Sequence, residues 1–253
     1  MNDLNINWKD FYKNVFALVV PMALQNLINV GVTAADVVML GKVSEKVLSG
    51  ASLAGQIQYI MVLFLFGLTS GATVLTAQYW GKGDKTTIEK ILALGIRSAV
   101  IVTAIFTVAA FAIPASLMRI FTNDPQVIAE GVKYLRIVAC SYIIMGITNV
   151  YLYVMRSIER VIVATVVYLV SFLCNVIFNA IFIFGLFGFP ALGIRGAAIA
   201  TLIARIVELV LVCGYAKIYN KDVKFRIHYF LHQDKLLVKD FLVYSLPVVL
   251  NEV

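Results

Sequence analysis

Charge is scarce in this chain. Only 14% of its 253 residues are Asp, Glu, Lys or Arg, against 61% apolar ones. Soluble domains carry about 25% charged residues to cover their surface. A mean hydropathy of +0.92 leaves no such cover. Soluble enzymes, disordered chains and coiled coils are therefore excluded. Histidine is nearly absent: the two present are His228 and His232. Their i, i+4 spacing has no carboxylate or thiol ligand cluster alongside, so no metal site is expected. The three cysteines, Cys140, Cys174 and Cys213, lie in apolar runs without CxxC spacing. They read as small packing residues, not a disulfide framework. HExxH and GxxxxGK are missing, so neither metalloprotease chemistry nor an ATP-binding loop is expected. The N-terminal stretch lacks the pattern of a removable signal peptide.

Long uncharged runs are what the sequence has in quantity. A spanning helix needs about 20 apolar residues, and six runs satisfy this. They cover about Asn14–Ala35, a stretch within Val47–Gly81, and about Leu92–Leu117, Val127–Val154, Val161–Phe184 and Gly196–Ile218. Gly185, Gly188, Pro190 and Gly193 mark a tight turn between the last two. A seventh run starts near Phe241 and has too few residues here to cross a bilayer. The expected fold is all-α: a polytopic membrane protein, with a six-transmembrane-helix lobe and a partial seventh helix. The expected organisation is 1–218 for the lobe, 219–239 for a polar linker and 240–253 for the start of a second lobe. The net charge of +7 does not point to nucleic acid. The larger share of loop Lys and Arg falls on the side of the N-terminus, which the positive-inside rule places in the cytoplasm.

The seventh run resembles the first. Val20-Pro21-Met22-Ala23-Leu24-Gln25 can be laid over Leu246-Pro247-Val248-Val249-Leu250-Asn251, and Lys9-Asp10-Phe11 recurs as Lys239-Asp240-Phe241. This suggests a six-span repeat that begins again, with a C-terminal lobe missing from this chain.

Polar residues inside spans are costly in lipid and mark candidate sites. Span 1 holds Gln25, Asn29, Thr33 and Asp36 at helical spacing, a candidate cavity stripe. Asp36 is a candidate carboxylate for H+ or Na+. Span 5 holds Tyr168, Ser171, Asn175 and Asn179, readable as hydrogen-bond relay or as helix–helix glue. In span 6, Thr201, Arg205 and Glu208 share a face, and the latter two are expected to form a structural ion pair. Pro21 is a candidate hinge. Tyr134 belongs with Phe11, Tyr12, Tyr59, Tyr79, Trp80 and Tyr229 near expected span ends, mostly interfacial anchors.

Three stretches resemble the multidrug and toxic compound extrusion (MATE) family. They are Pro21…Asp36-Val37-Val38-Met39-Leu40-Gly41, then Gly67-Leu68-Thr69-Ser70-Gly71…Ala77-Gln78-Tyr79-Trp80-Gly81-Lys82-Gly83-Asp84, and Asn175…Asn179 followed by Gly188-Phe189-Pro190-Ala191-Leu192-Gly193-Ile194-Arg195-Gly196-Ala197-Ala198-Ile199-Ala200-Thr201. The resemblance implies twelve helices in two lobes around a cavity that opens alternately to either side. It implies a multi-pass plasma (inner) membrane antiporter, not an enzyme, with no cofactor beyond a coupling Na+ or H+. Its partners would be the lipid bilayer and a small organic cation or drug. By the same resemblance Asp36, Asn175 and Thr201 match cation-coupling positions. Asn179 stands where some members have aspartate, which puts a two-carboxylate proton mechanism in question. Glu252 sits near a seventh-helix glutamate of some Na+-coupled members, a possible second-lobe cation site. The alternatives are a lipid-linked precursor flippase of the same wider superfamily, or a half-size fragment without function of its own. Spans 1 to 5 have almost no interior Lys or Arg for a pyrophosphate, which weighs against the flippase.

Overall fold

The computed structural model describes residues 8–231 and 234–252. The helices in chain order are α1 (Trp8–Gly41), α2 (Glu45–Gly81), α3 (Lys85–Ala112), α4 (Pro114–Arg119), α5 (Pro125–Val138), α6 (Tyr142–Ser157), α7 (Val161–Phe184), α8 (Ile194–Ile218), α9 (Ile227–Leu231) and α10 (Lys235–Glu252). No strand occurs among the described residues. Six stretches are long and apolar enough to cross a membrane: α1, α2, α3, α5 with α6, α7 and α8. The expected class and span count hold. Val161–Phe184 coincides with α7, because its apolar run is closed at both ends by turn signals.

Boundaries differ where local chemistry overrides hydropathy. The third helix begins at Lys85, seven residues before the apolar run, because Asp84 caps it. The Asp84 carboxylate accepts the Thr87 amide at 3.0 Å and the Thr87 hydroxyl at 2.6 Å. It ends at Ala112 because Pro114 disfavours helix at Ile113 and starts α4 instead. Span 4 is expected to be one helix but is two, joined by a 3-10 turn at Ala139–Ser141. A break inside a bilayer must satisfy its freed carbonyls. The Ser141 hydroxyl donates to the Val138 carbonyl at 2.6 Å, and the Thr107 hydroxyl reaches the Ala139 carbonyl at 3.3 Å.

Glycines let the helices approach. A Cβ on Gly50 of α2 would stand 2.8 Å from the Gly131 amide nitrogen of α5. Small residues at such crossings allow dense packing where no hydrophobic force drives association. Gly67 and Gly71 of α2 do the same for α10, receiving Val249 and Ser245. That helix starts at Lys235 rather than near Phe241, since Asp234 caps it through the Leu236 amide. It packs along α2 and holds Pro247 within it, as α1 holds Pro21. Of the unpaired cysteines, Cys140 and Cys213 are exposed on the bundle surface. These two do not take the packing role expected of them, since they lie on the bundle surface.

The segment after α8 is fixed more tightly than a linker. Asp222 binds Lys85 at 2.9 Å and Arg160 at 2.8 Å. Asn220 is buried and donates to the Tyr151 hydroxyl at 3.0 Å. Glu89 accepts the Lys224 amide at 3.0 Å and pairs with Arg226 at 2.7 Å. The strap thus joins the ends of α3, α6, α7 and α8. The Lys85 ammonium beside Asp222, with Arg160, holds its carboxyl below the usual carboxylate range. A depressed value stabilises the docked form at and above ordinary carboxylate pKa, about 4. The contribution fades as pH falls through the depressed value. Amide exchange at Val223 and Lys224 is expected to stay slow from neutral pH to about pH 4 and to accelerate below it, beyond the chemical rate. Asp222→Asn should give the faster exchange already at neutral pH.

Candidate functional site

The two polar stripes meet near the far end of α1, but only partly as the spacing suggests. On α7 the 3, 4, 4 spacing keeps Tyr168, Ser171, Asn175 and Asn179 on one buried face. The Ser171 hydroxyl donates to the Ala204 carbonyl of α8 at 3.3 Å, and the Asn175 amide to the Thr201 hydroxyl at 3.4 Å. The Asn179 amide donates to Asp36 at 2.5 Å and to the Asn175 side-chain carbonyl at 3.0 Å. Asp36, Asn179, Asn175 and Thr201 therefore form one chain of contacts across α1, α7 and α8.

The α1 stripe divides. Each step of four residues advances about 400°, so the stripe drifts by about 40° per step. Gln25 is buried and Asp36 half-buried, while Asn29 and Thr33 are exposed. The Thr33 hydroxyl reaches back to the Asn29 carbonyl at 3.3 Å. Gln25, expected to line a cavity, is instead sealed against α6 and α7. Its amide donates to the Val161 carbonyl at 3.2 Å and the Thr165 hydroxyl at 2.8 Å. Its carbonyl accepts from Arg156, whose guanidinium lies 4.6 Å from the Tyr153 ring centre. The Thr165 hydroxyl also contacts the Pro21 carbonyl at 3.4 Å. The helix is thus fastened to the bundle by a polar clasp one turn beyond its proline and by Asp36 near its far end.

Two residues at this site were not singled out by spacing. Tyr134 of α5 is half-buried beside Thr201 and within electrostatic range of Asp36. Its neighbours Lys133 and Arg136 make the sequence read as a membrane boundary. Thr148 of α6 donates to Glu208 at 2.5 Å, and nothing in its apolar surroundings marks it. Arg205 and Glu208 are paired at 2.7 Å. Tyr168 donates to Asn149 at 3.3 Å. Glu252 lies exposed at the end of α10, which packs on α2 and does not reach Asp36.

One atom at the site has no partner. Asn179 Oδ1 is buried and accepts nothing, on the same side-chain amide that donates to Asp36. Buried acceptors are satisfied in the great majority of cases, and an orphan calls for an explanation. Asp36, Asn179 Oδ1, Asn175 Oδ1 and the Thr201 hydroxyl are all oxygen ligands, the kind a hard monovalent cation takes.

A bundle of six membrane-length helices with a carboxylate–amide cluster among them defines a polytopic membrane protein with an intramembrane polar site. The MatE family model matches residues 21–181, so the chain belongs to the MatE family. A probable multidrug resistance protein NorM of Thermotoga maritima is 28% identical over 200 residues, 77% of this chain and 42% of that protein. One of Rhizobium meliloti is 26% identical, covering 83% and 45%. The chain therefore spans less than half the length of these relatives. A structure described as the outward-facing conformation of a multidrug resistance MATE family transporter superposes with a TM-score of 0.84 at 21% identity, covering 95% of this chain and 52% of that one. Another, described as MATE in the bent conformation, gives 0.85 at 21% identity, covering 95% and 53%. Both show the fold.

Proposed function

We propose that this chain is the N-terminal lobe, with the start of a second, of a secondary active antiporter. It exports drugs or organic cations in exchange for Na+ or H+ by alternating access, from a plasma membrane in which its N-terminus is cytoplasmic. The observation that carries this reading is the Asp36 carboxylate held by Asn179, whose Oδ1 is unpartnered. The Asn179 amide steadies the charge on Asp36. The entering cation takes the carboxylate and the spare oxygen together, and so draws α1 toward α7. Pro21 is the candidate hinge of α1, and the Gln25 clasp fastens the helix to α6 and α7 one turn beyond it. The exposed Asn29 and Thr33 face the substrate cavity, and loading the cation lowers their hold on substrate. Differential affinity between the two states is what lets one ligand expel the other.

The test is efflux of ethidium from liposomes holding the protein of the complete reading frame. An imposed inward Na+ or H+ gradient is expected to drive it, with one of the two effective. Efflux indifferent to both gradients overturns the reading.

A further inference from the structure

The α8 ion pair is lopsided: its carboxylate is sealed in and its guanidinium is partly exposed. Glu208 is fully buried. One carboxylate oxygen takes the Arg205 guanidinium at 2.7 Å and the other the Thr148 hydroxyl at 2.5 Å. Arg205 keeps 24% of its side chain exposed. It lies within electrostatic range of Asp36 of α1, Tyr134 of α5 and Tyr168 of α7. Around Asp36, α7 contributes the neutral Asn175 and Asn179, α5 the phenol of Tyr134, and α8 Thr201 and Arg205. Thr201, one turn before Arg205 on α8, joins the site through Asn175, so Arg205 is the cation next to this cluster and Glu208 is the carboxylate behind it.

An unpaired charge this deep is expensive. Glu208 therefore cannot release Arg205 cheaply, and Thr148 fixes the carboxylate that holds it. The i, i+3 spacing keeps the pair on one helix face. Arginine remains charged at every relevant pH, so a free guanidinium would close on Asp36 and fill the place of the coupling ion. Held back, it weakens the site's grip on a cation without blocking it.

We propose that Arg205 is a positioning residue for the Asp36 site: a tethered counter-charge that makes the bound cation releasable, with Glu208 and Thr148 as its tether. This rests on the cation-site reading above and names what regulates that site. It differs from a purely structural ion pair in what substitution does to cation affinity.

The experiment measures the half-saturating concentration of the driving cation for ethidium efflux in liposomes, alongside thermal stability. Removing both charges with Arg205→Gln and Glu208→Gln leaves no bare ion. It is expected to lower the half-saturating concentration about tenfold, the scale of one charge acting across a partly screened site, and to slow turnover. Glu208→Gln alone frees Arg205 and should abolish the cation response. Adding Arg205→Gln to it should restore that response. An unchanged half-saturating concentration in the double variant, with stability alone reduced, overturns the proposal while the cation-site reading stands. A cation response missing from the unsubstituted protein overturns both.

Discussion

Asp36→Asn is expected to abolish cation-driven efflux while leaving the protein folded. The substitution keeps size, shape and an oxygen facing Asn179, whose amide donates to Asp36 at 2.5 Å. What it removes is the negative charge. At roughly 4 Å and an effective dielectric near 20, a charge pair is worth about 4 kcal/mol, or about a thousandfold in cation occupancy. Thermal stability in detergent should change little, since an amide facing an amide needs no counter-ion. Ethidium efflux should fall to the level of empty liposomes under both Na+ and H+ gradients. Near-normal efflux at normal expression would remove Asp36 from the mechanism. Asn179→Ala should act less severely: the charge remains, but one ligand oxygen and one steadying donor go. The cation requirement should then rise, with drive retained at saturating gradients.

How much of this was legible in the sequence differs by helix. The α7 stripe points inward as its spacing suggests, because α7 is packed between α1 and α8 and has no other place for amides. On α1 the same kind of spacing misleads. That helix touches the bundle along one side only, so a stripe drifting about 40° per four-residue step leaves that side at Asn29 and Thr33 and returns to it at Asp36, three residues further on. Asn29 and Thr33 are exposed while Gln25 is sealed in. Arg156 reads as a loop cation at the end of a span, yet its guanidinium turns back to Gln25. Arginine's long stem makes sequence position a poor guide to where its charge sits. Tyr134 was obscured by its charged neighbours, and Thr148 by its ordinary surroundings. The break in span 4 left no hydropathy signal, because the hydroxyls of Ser141 and Thr107 replace the lost helical bonds without interrupting the apolar run.

Gly196→Val is expected to destabilise the lobe sharply, and the turn before Gly196 explains why. Gly185 ends α7 in the left-handed region, φ 72°. The chain then folds back so that the Leu192 amide donates to the Phe182 carbonyl at 2.9 Å. This seats the first turn of α8 on the last turn of α7. A Cβ on Gly196 would stand 2.5 Å from the Phe182 carbonyl oxygen and 2.6 Å from its carbon. Both are backbone atoms, which cannot rotate aside, so the two helices must separate. Overpacking typically costs about 1–3 kcal/mol, and a β-branched side chain against backbone belongs at the upper end or beyond. Gly196→Val should therefore lower the melting temperature in detergent sharply and cut the yield of membrane-inserted protein. Gly196→Ala should do so less. The damage reaches the site, because the contacts of Ser171 with Ala204 and of Asn175 with Thr201 bridge the same pair of helices. Gly214→Ala provides the control on α8. Nothing lies within 4 Å of a Cβ there, so alanine should be neutral or add about 0.5–1 kcal/mol of stability. Equal stability of Gly196→Val and Gly214→Ala would show that the α7–α8 contact does not set the geometry on which Asn175 and Thr201 depend.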